Sequence, residues 1–216
     1  VEIGGRSIIE YAIEAFDSHP LVDEVLVVMV SERVDQIRDL IECGGYTKVR
    51  HVLPGGATRS DSAVVALRAL ADDNAKVLLH DAARPFVGPG IITACFQALD
   101  EYDAVTVAVP SSDTIVEVAD NGTVAAVPDR TRLRRSQSPQ AFRLGVIRAA
   151  YRAAAHDPEF AATDDASVVW RYLPHVPVLV LPGDELNMKV TTPLDVHFVE
   201  KLLEVHELSP LPSPNR

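Results

Sequence analysis

Apolar positions along the chain repeat with two periods, and the two alternate. Ile8, Ile9, Ala12, Ile13 and Phe16 recur at helical spacing and predict an amphipathic helix over about residues 6–17. EVLVVMV (24–30) is an unbroken, largely β-branched run, as expected of a strand buried on both faces. SERVDQIRDLIE (31–42) sets a serine cap before a helical repeat. TKVRHVL (47–53) predicts a shorter strand, SDSAVVALRAL (60–70) a helix, KVLLH (76–80) a buried strand, IITACFQALD (91–100) a helix and DAVTVAVP (103–110) a strand. Strand and helix in turn, with short links, predict an α/β domain with a mainly parallel sheet and helices on both faces. Ligands of such sheets bind outside the carboxyl ends of the strands, where this chain places PGGATRSDS (54–62) and HDAARPF (80–86).

The pattern breaks at 111–130. DTIVEV and TVAAVP flank ADNG, in which Asn121-Gly122 is a strong hairpin signal. A two-stranded β-arm over about 111–135 is expected, and since an isolated hairpin is marginal in water, it should pack on a second subunit. Helical periodicity returns at 144–155 and 164–173. VPVLVLP (176–182) predicts a strand, and TPLDVHFVEKLLEV (192–205) a closing helix with Pro193 in its first turn. One domain over 1–208 results, followed by a Pro- and Ser-rich stretch, 209–216, expected to be a disordered tail or linker.

Composition narrows the ligand. The 216 residues are 47% hydrophobic and 24% charged, enough to bury a sizeable core. A net charge of −11 argues against a nucleic-acid polymer but not against a small phosphorylated ligand, which needs only a few local cations. Cys43 and Cys95 have no partners at metal-finger spacing and read as small buried hydrophobes of a reducing cytoplasm. No apolar run is long enough to suggest a membrane span.

Three short segments bring polar chemistry to strand ends. In PGGATRSDS, Gly55 and Gly56 permit close backbone approach to a ligand, and Arg59 and Ser62 fall at a helix start; a plain strand-to-helix turn would read the same. In HDAARPF, Asp81 ends a buried strand and needs a partner, whether a metal, a ribose hydroxyl or a protein N–H. Arg84 carries a fork suited to phosphate, while His80 reads as a satisfied core histidine. In NMKVTTPLD, Lys189 follows a strand and can reach the same sheet edge, or can simply be solvated. The cluster Arg130, Arg132, Arg134 and Arg135 is either a solvated face or a phosphate clamp. G-x-G-x-x-G, G-x-S-x-G and zinc-ligand spacings are absent. Glycines, a carboxylate and separated cations at one edge suit a nucleotide plus a second phosphorylated substrate better than hydride transfer.

GGATRSDS, LLHDAARP, SDTIVEV, LRRSQSPQAF, TDDAS and NMKVTTPLD occur in the order found in the cytidylyltransferases that make CDP-activated polyols, and about residues 1–205 resemble that family. The resemblance implies a Rossmann-like nucleotidyltransferase fold, a homodimer with interlocked β-arms, CTP as donor, Mg²⁺, and release of pyrophosphate. By position, Gly55, Gly56, Arg59 and Ser62 resemble the cytidine-binding loop, and Asp81 and Ala82 lie by the nucleotide, Asp81 near the ribose or the metal. Arg84 and Lys189 are the implied catalytic cations. Thr114 and Arg130 match arm residues that reach the acceptor of the neighbouring subunit, and Thr163 and Asp164 border the acceptor pocket. The nucleophile is a phosphate monoester, already largely a dianion at pH 7, so no general base is needed; cations and positioning should carry the catalysis.

IVEV and LRRSQSPQAF resemble the ribitol 5-phosphate group, giving CDP-ribitol as the expected product, with 2-C-methyl-D-erythritol 4-phosphate as the alternative acceptor. The family's opening signature, roughly P-A-A-G-x-G-x-R followed by P-K-Q, has no counterpart here: VEIGGRSIIEYAI resembles the segment after it. The 216 residues are therefore expected to lack the first strand and glycine-rich loop and to turn over CTP poorly. A fused reductase beyond Arg216 is a further possibility. The rival classes are a nicotinamide-dependent oxidoreductase and a non-catalytic dimeric binding module.

Overall fold

A computed structural model describes residues 1–208; the tail or linker expected over 209–216 lies outside them. A small hairpin, β1 (Glu2–Ile3) and β2 (Arg6–Ser7), leads into α1 (Ile8–Asp17). Then come β3 (Val25–Met29), α2 (Val34–Gly44), β4 (Val49–Pro54), α3 (Arg59–Ala69), β5 (Lys76–Leu79), α4 (Pro89–Ala98) and β6 (Ala104–Pro110). The arm carries β7 (Glu117–Val118) and β8 (Val124–Ala126). β9 (Arg134–Arg143), α5 (Leu144–Ala154), α6 (Asp165–Tyr172), β10 (Val178–Pro182) and α7 (Pro193–Leu208) complete the chain. The caps explain several helix starts. The Glu10 carboxylate accepts the Ser7 N–H at 2.7 Å, and Asp164 Oδ1 accepts the Ser167 N–H at 2.9 Å. Ser31, expected to cap α2, instead opens a single 3₁₀ turn ahead of it.

The strands order as β10-β6-β9-β5 in one sheet and β3-β4 in a separate parallel pair. β10 runs parallel to β6, whereas β9 is antiparallel to both neighbours. The mainly parallel sheet expected from sequence is therefore mixed, with an unforeseen strand at its centre. RRSQSPQAFR lacks the β-branched run that marks a buried strand. Its burial comes from flanking strands on both edges, and Pro139 is tolerated where the register against β6 slips between Thr106 and Val107. Phe142, Leu144, Ile147, Val168 and Val169 fill one face with α5 and α6. Cys95, Leu99, Val105, Val107 and Ala141 fill the other, beneath α4. Cys95 is buried as expected, and burial pushes its thiol up to about 12; Cys43, contrary to expectation, is exposed because it lies near the C-terminal end of α2.

Among the described residues, β3 pairs only with β4 and β5 only with β9. Both strands border one cavity of about 960 Å³, lined also by Ile13 and Phe16 of α1 and Leu67 of α3. Apolar side chains face this gap from two strands and two helices, so the sheet is discontinuous where its core is otherwise well covered. The arm leaves the sheet after Pro110 and returns at Arg134, which pair with each other. Its two strands are shorter than DTIVEV and TVAAVP suggest, and Ile115, Val116, Val118, Val124 and Val127 stand exposed on it.

Candidate active site

Three chain segments meet at the carboxyl ends of β4 and β5. The first is the turn into α3. Gly55 N–H donates to Met29 O at 2.7 Å, Gly56 N–H to Ser62 Oγ at 3.2 Å, and the Ser62 hydroxyl to Thr58 O at 3.0 Å. Thr58 and Asp61 exchange hydrogen bonds across the first turn, which places Arg59 at its start, facing β5.

The second segment is the end of β5. His80 Nε2 lies 3.0 Å from Arg84 O, so this nitrogen carries the proton and donates. The Ser138 hydroxyl accepts the Asp81 N–H at 3.0 Å and donates to His80 Nδ1 at 3.2 Å. Burial pushes His80 down to about 4, so it is neutral near pH 7 and both of its nitrogens are committed to holding the turn. A folded-state value below the unfolded one, about 6.5, means that the unfolded chain binds the proton more readily. Stability is then fully present above pH 6.5 and drains as pH falls toward 4, by about 2–3 kcal/mol from this group. His80→Gln is expected to flatten the change in urea midpoint between pH 6.5 and 4.5; an unchanged slope would refute the assignment.

The third segment is the loop from β10 to α7. It is pinned by the Val190 N–H donating to Ala83 O at 2.8 Å. Fully buried Asn187 donates to Ser138 O at 2.8 Å, and its carbonyl receives Arg84 Nη1 at 2.7 Å.

Three cations converge on one carboxylate. Arg59 Nε lies 3.1 Å from Asp81 Oδ1, Lys189 Nζ 3.1 Å from Oδ2 and Arg84 Nε 3.7 Å from Oδ2. Burial opposes the Asp81 charge, but Arg59 and Lys189 outweigh it and hold the carboxyl below its usual range. Around them is a cup of about 220 Å³ whose opposite wall is Thr163, Asp164, Ser136 and Gln140. Asp164 Oδ2 accepts from Ser136 Oγ and Gln140 Nε2, each at 2.8 Å. Burial raises its carboxyl, and these bonds, with those from Ser167, reverse the sign and leave it depressed.

Arg59, Asp81, Arg84, Thr163, Asp164 and Lys189, all singled out from sequence, thus line one cup. Gly55, Gly56 and Ser62 form the turn beside it. Ala82 sits in the turn that the Arg84 N–H closes onto Asp81 O at 2.9 Å, and its side chain packs with the core around β3 and β4. Thr114 and Arg130 lie on the arm, outside the cup of their own chain; Arg130 Nη1 donates to Ser112 O at 3.3 Å, fastening the arm's base. The four clustered arginines do not converge: Arg134 bonds backbone carbonyls and Arg135 pairs with Glu185. Ser136, Gln137, Ser138 and Gln140 line the cup unforeseen; the available signal was a polar run long enough to be a strand.

Nucleotidyl transfer asks for charge and placement rather than a base, and a neutral, fully bonded histidine beside converging cations meets that requirement: the chain is a nucleotidyltransferase. A family model described as 2-C-methyl-D-erythritol 4-phosphate cytidylyltransferase matches residues 1–205, and the chain belongs to that family. It is 49% identical over 209 residues to the 2-C-methyl-D-erythritol 4-phosphate cytidylyltransferase of Thermobifida fusca, covering 94% of this chain and 84% of that protein. It is 35% identical over 206 residues to a bifunctional ribulose 5-phosphate reductase/CDP-ribitol pyrophosphorylase of Haemophilus influenzae, covering 94% of this chain and 43% of that protein. Among solved structures, the 4-diphosphocytidyl-2C-methyl-D-erythritol synthase of Anaerococcus prevotii superposes with a TM-score of 0.87 at 31% identity, over 94% of this chain and 88% of that one.

Proposed function

We propose that the protein transfers CMP from CTP to 2-C-methyl-D-erythritol 4-phosphate. A phosphate oxygen of the acceptor bonds to the α-phosphorus of CTP as the bond to the bridging oxygen breaks, and pyrophosphate leaves with that electron pair. The observation that carries this reading is the convergence of Arg59, Arg84 and Lys189 at Asp81, which offsets the charge of two anions brought together. The choice of acceptor replaces the ribitol 5-phosphate expected from IVEV and LRRSQSPQAF. It is supported by the greater identity to the methylerythritol-phosphate relative than to the ribitol one.

Asp81 suits a Mg²⁺ that arrives on the phosphates. Among the described residues no three His, Cys, Asp or Glu side chains form a metal cage, and Mg²⁺ in nucleotide sites typically takes one or two carboxylates plus phosphate oxygens. Bound there, the ion would neutralise phosphate charge. Asp81 would hold it, and Lys189 and Arg84 would position the phosphates. The arm's exposed valines and isoleucine fit a second copy of the chain, which would bring Thr114 and Arg130 to a neighbouring cup.

Pyrophosphate release at high enzyme concentration, with CTP and each polyol phosphate, tests the reading. We expect kcat/KM for methylerythritol phosphate to exceed that for ribitol 5-phosphate by about tenfold or more, the equivalent of one lost hydrogen bond to charge. A preference for ribitol 5-phosphate would overturn the acceptor; neither release nor calorimetric CTP binding would overturn the transfer. Vigorous turnover would show that the triphosphate is held without the glycine-rich signature. Arg130→Ala should raise the acceptor KM about 10–100-fold and leave the CTP KM within about twofold, as expected for one lost arginine–phosphate contact. A monomer at micromolar concentration in sedimentation would count against the shared arm.

A further inference from the structure

We infer that Asp165 and Tyr151, which lie behind the cup, are positioning residues that aim the Arg59 guanidinium at the nucleotide; the inference rests on the nucleotidyl-transfer reading above. Asp165 opens α6 with no solvent exposure. Its Oδ1 accepts the Tyr151 hydroxyl from α5 at 2.6 Å, and its Oδ2 lies 2.7 Å from Arg59 Nη2. Its backbone N–H and that of Ala166 both donate to Gln140 Oε1, at 2.8 and 2.9 Å. Gln140 is itself 1% exposed in the central strand. The Asp165 backbone is thus fixed from β9 and its carboxylate from α5.

Arg59 is therefore divided between two carboxylates of different character. Nη2 goes to buried Asp165, while Nε reaches Asp81 in the wall of the cup. Burial works against the guanidinium charge, and Asp165 and then Asp81 more than compensate, so its pKa is raised. Without Asp165, a flexible arginine would be free to turn its two terminal nitrogens onto Asp81 as a two-pronged pair, releasing the Nε–H that now donates to that carboxylate. That would occupy the Asp81 carboxylate and draw the cation away from incoming phosphate or ribose. A buried carboxylate also has to be paired, so Asp165 cannot readily exchange Arg59 for solvent. The Tyr151 hydroxyl sets the rotation of that carboxylate, and through it the direction of Nη2.

Tyr151→Phe removes the hydroxyl and leaves the ion pair in place; Asp165→Asn removes the charge. Both are made in the 216-residue chain. Two readouts are taken: the KM values and calorimetric affinity for CTP and acceptor, and the solvent-exchange rate of the Arg59 Nε–H by nitrogen-15 NMR, assigned with Arg59→Lys. For Tyr151→Phe we expect CTP binding to weaken about 5–10-fold, the acceptor KM to stay within about twofold, and Nε–H exchange to speed up about tenfold, the scale of one hydrogen bond to a charged group. Asp165→Asn should exceed these changes, and if it does not fold, Tyr151→Phe decides. A lower melting temperature with both KM values and the exchange rate unchanged would mean that the pair only ties α3 to α6, and would overturn the inference. So would an equal rise in both KM values. If the unsubstituted chain neither binds CTP nor releases pyrophosphate, the transfer reading fails separately. The exchange rate in Tyr151→Phe then decides the brace alone: faster exchange sustains it, unchanged exchange overturns it.

Discussion

Lys189→Ala is expected to slow pyrophosphate release from CTP by about 10²–10³-fold, the usual consequence of removing one preorganised charge from a developing anion. Of the three cations at Asp81, Lys189 is the freest to follow a substrate. Arg84 is 9% exposed and tied to the Asn187 carbonyl, and Arg59 is held by Asp165. The Lys189 side chain is 42% exposed, with its ammonium 3.1 Å from Asp81. A partly exposed pair of that kind contributes under about 1 kcal/mol to folding, so the variant should unfold at nearly the same urea concentration as the parent. Lys189→Arg should recover little, because a planar fork does not replace a compact charge at a crowded phosphate. Single-turnover assays at saturating CTP read the effect on the chemical step; a rate within about fivefold of the parent would remove Lys189 from the catalytic group.

The periodic segments were legible because their burial is written locally. VLVVM makes β3 and KVLL makes β5 from β-branched and aliphatic runs, and the helices expected from 60, 164 and 192 start at Arg59, Asp165 and Pro193. The charged half of the cup was legible as well, since Arg59, Asp81, Arg84 and Lys189 follow strands, where ligands of α/β sheets bind. What could not be read was everything that depends on partners distant in sequence. β9 is a strand only because β5 and β6 supply both of its edges. Its Gln137 and Gln140 are buried only because the Asp184 carbonyl, Thr106 and Asp164 satisfy them. Asp165 looked like one more acidic residue of TDDAS. Only the fold shows it without exposure, bonded to a tyrosine 14 positions earlier and paired with an arginine on another helix. His80 was read correctly as a satisfied histidine, but its partner Ser138 lies 58 residues away.

The second large effect concerns Gly56. Its requirement is for space: the turn from β4 folds back so tightly on α3 that a Cβ there would collide with the Asp61 side chain and approach its carbonyl carbon to 3.2 Å and its Cα to 3.3 Å. Asp61 cannot step aside cheaply. Its Oδ2 accepts the Thr58 N–H at 3.0 Å and the Thr58 hydroxyl at 2.8 Å, and its own N–H donates back to Thr58 Oγ1 at 3.1 Å. Relieving the clash means giving up that cap, worth about 1 kcal/mol, or accepting overpacking strain of about 1–3 kcal/mol. Gly56→Ala is therefore expected to lower stability by about 1–3 kcal/mol. It should also displace the Gly56 N–H from Ser62 and move Arg59, weakening CTP binding by about tenfold or more, the scale of a lost charge-assisted contact. Gly90→Ala is the control. That glycine lies in the first turn of α4, where an added Cβ meets nothing within 4 Å, so alanine there should be neutral or stabilising by up to about 1 kcal/mol. Urea denaturation and calorimetry with CTP on the two variants separate the effects. If Gly56→Ala unfolds with Gly90→Ala and binds CTP as the parent does, the turn is not packed on Asp61 in solution and its role in holding the nucleotide is lost.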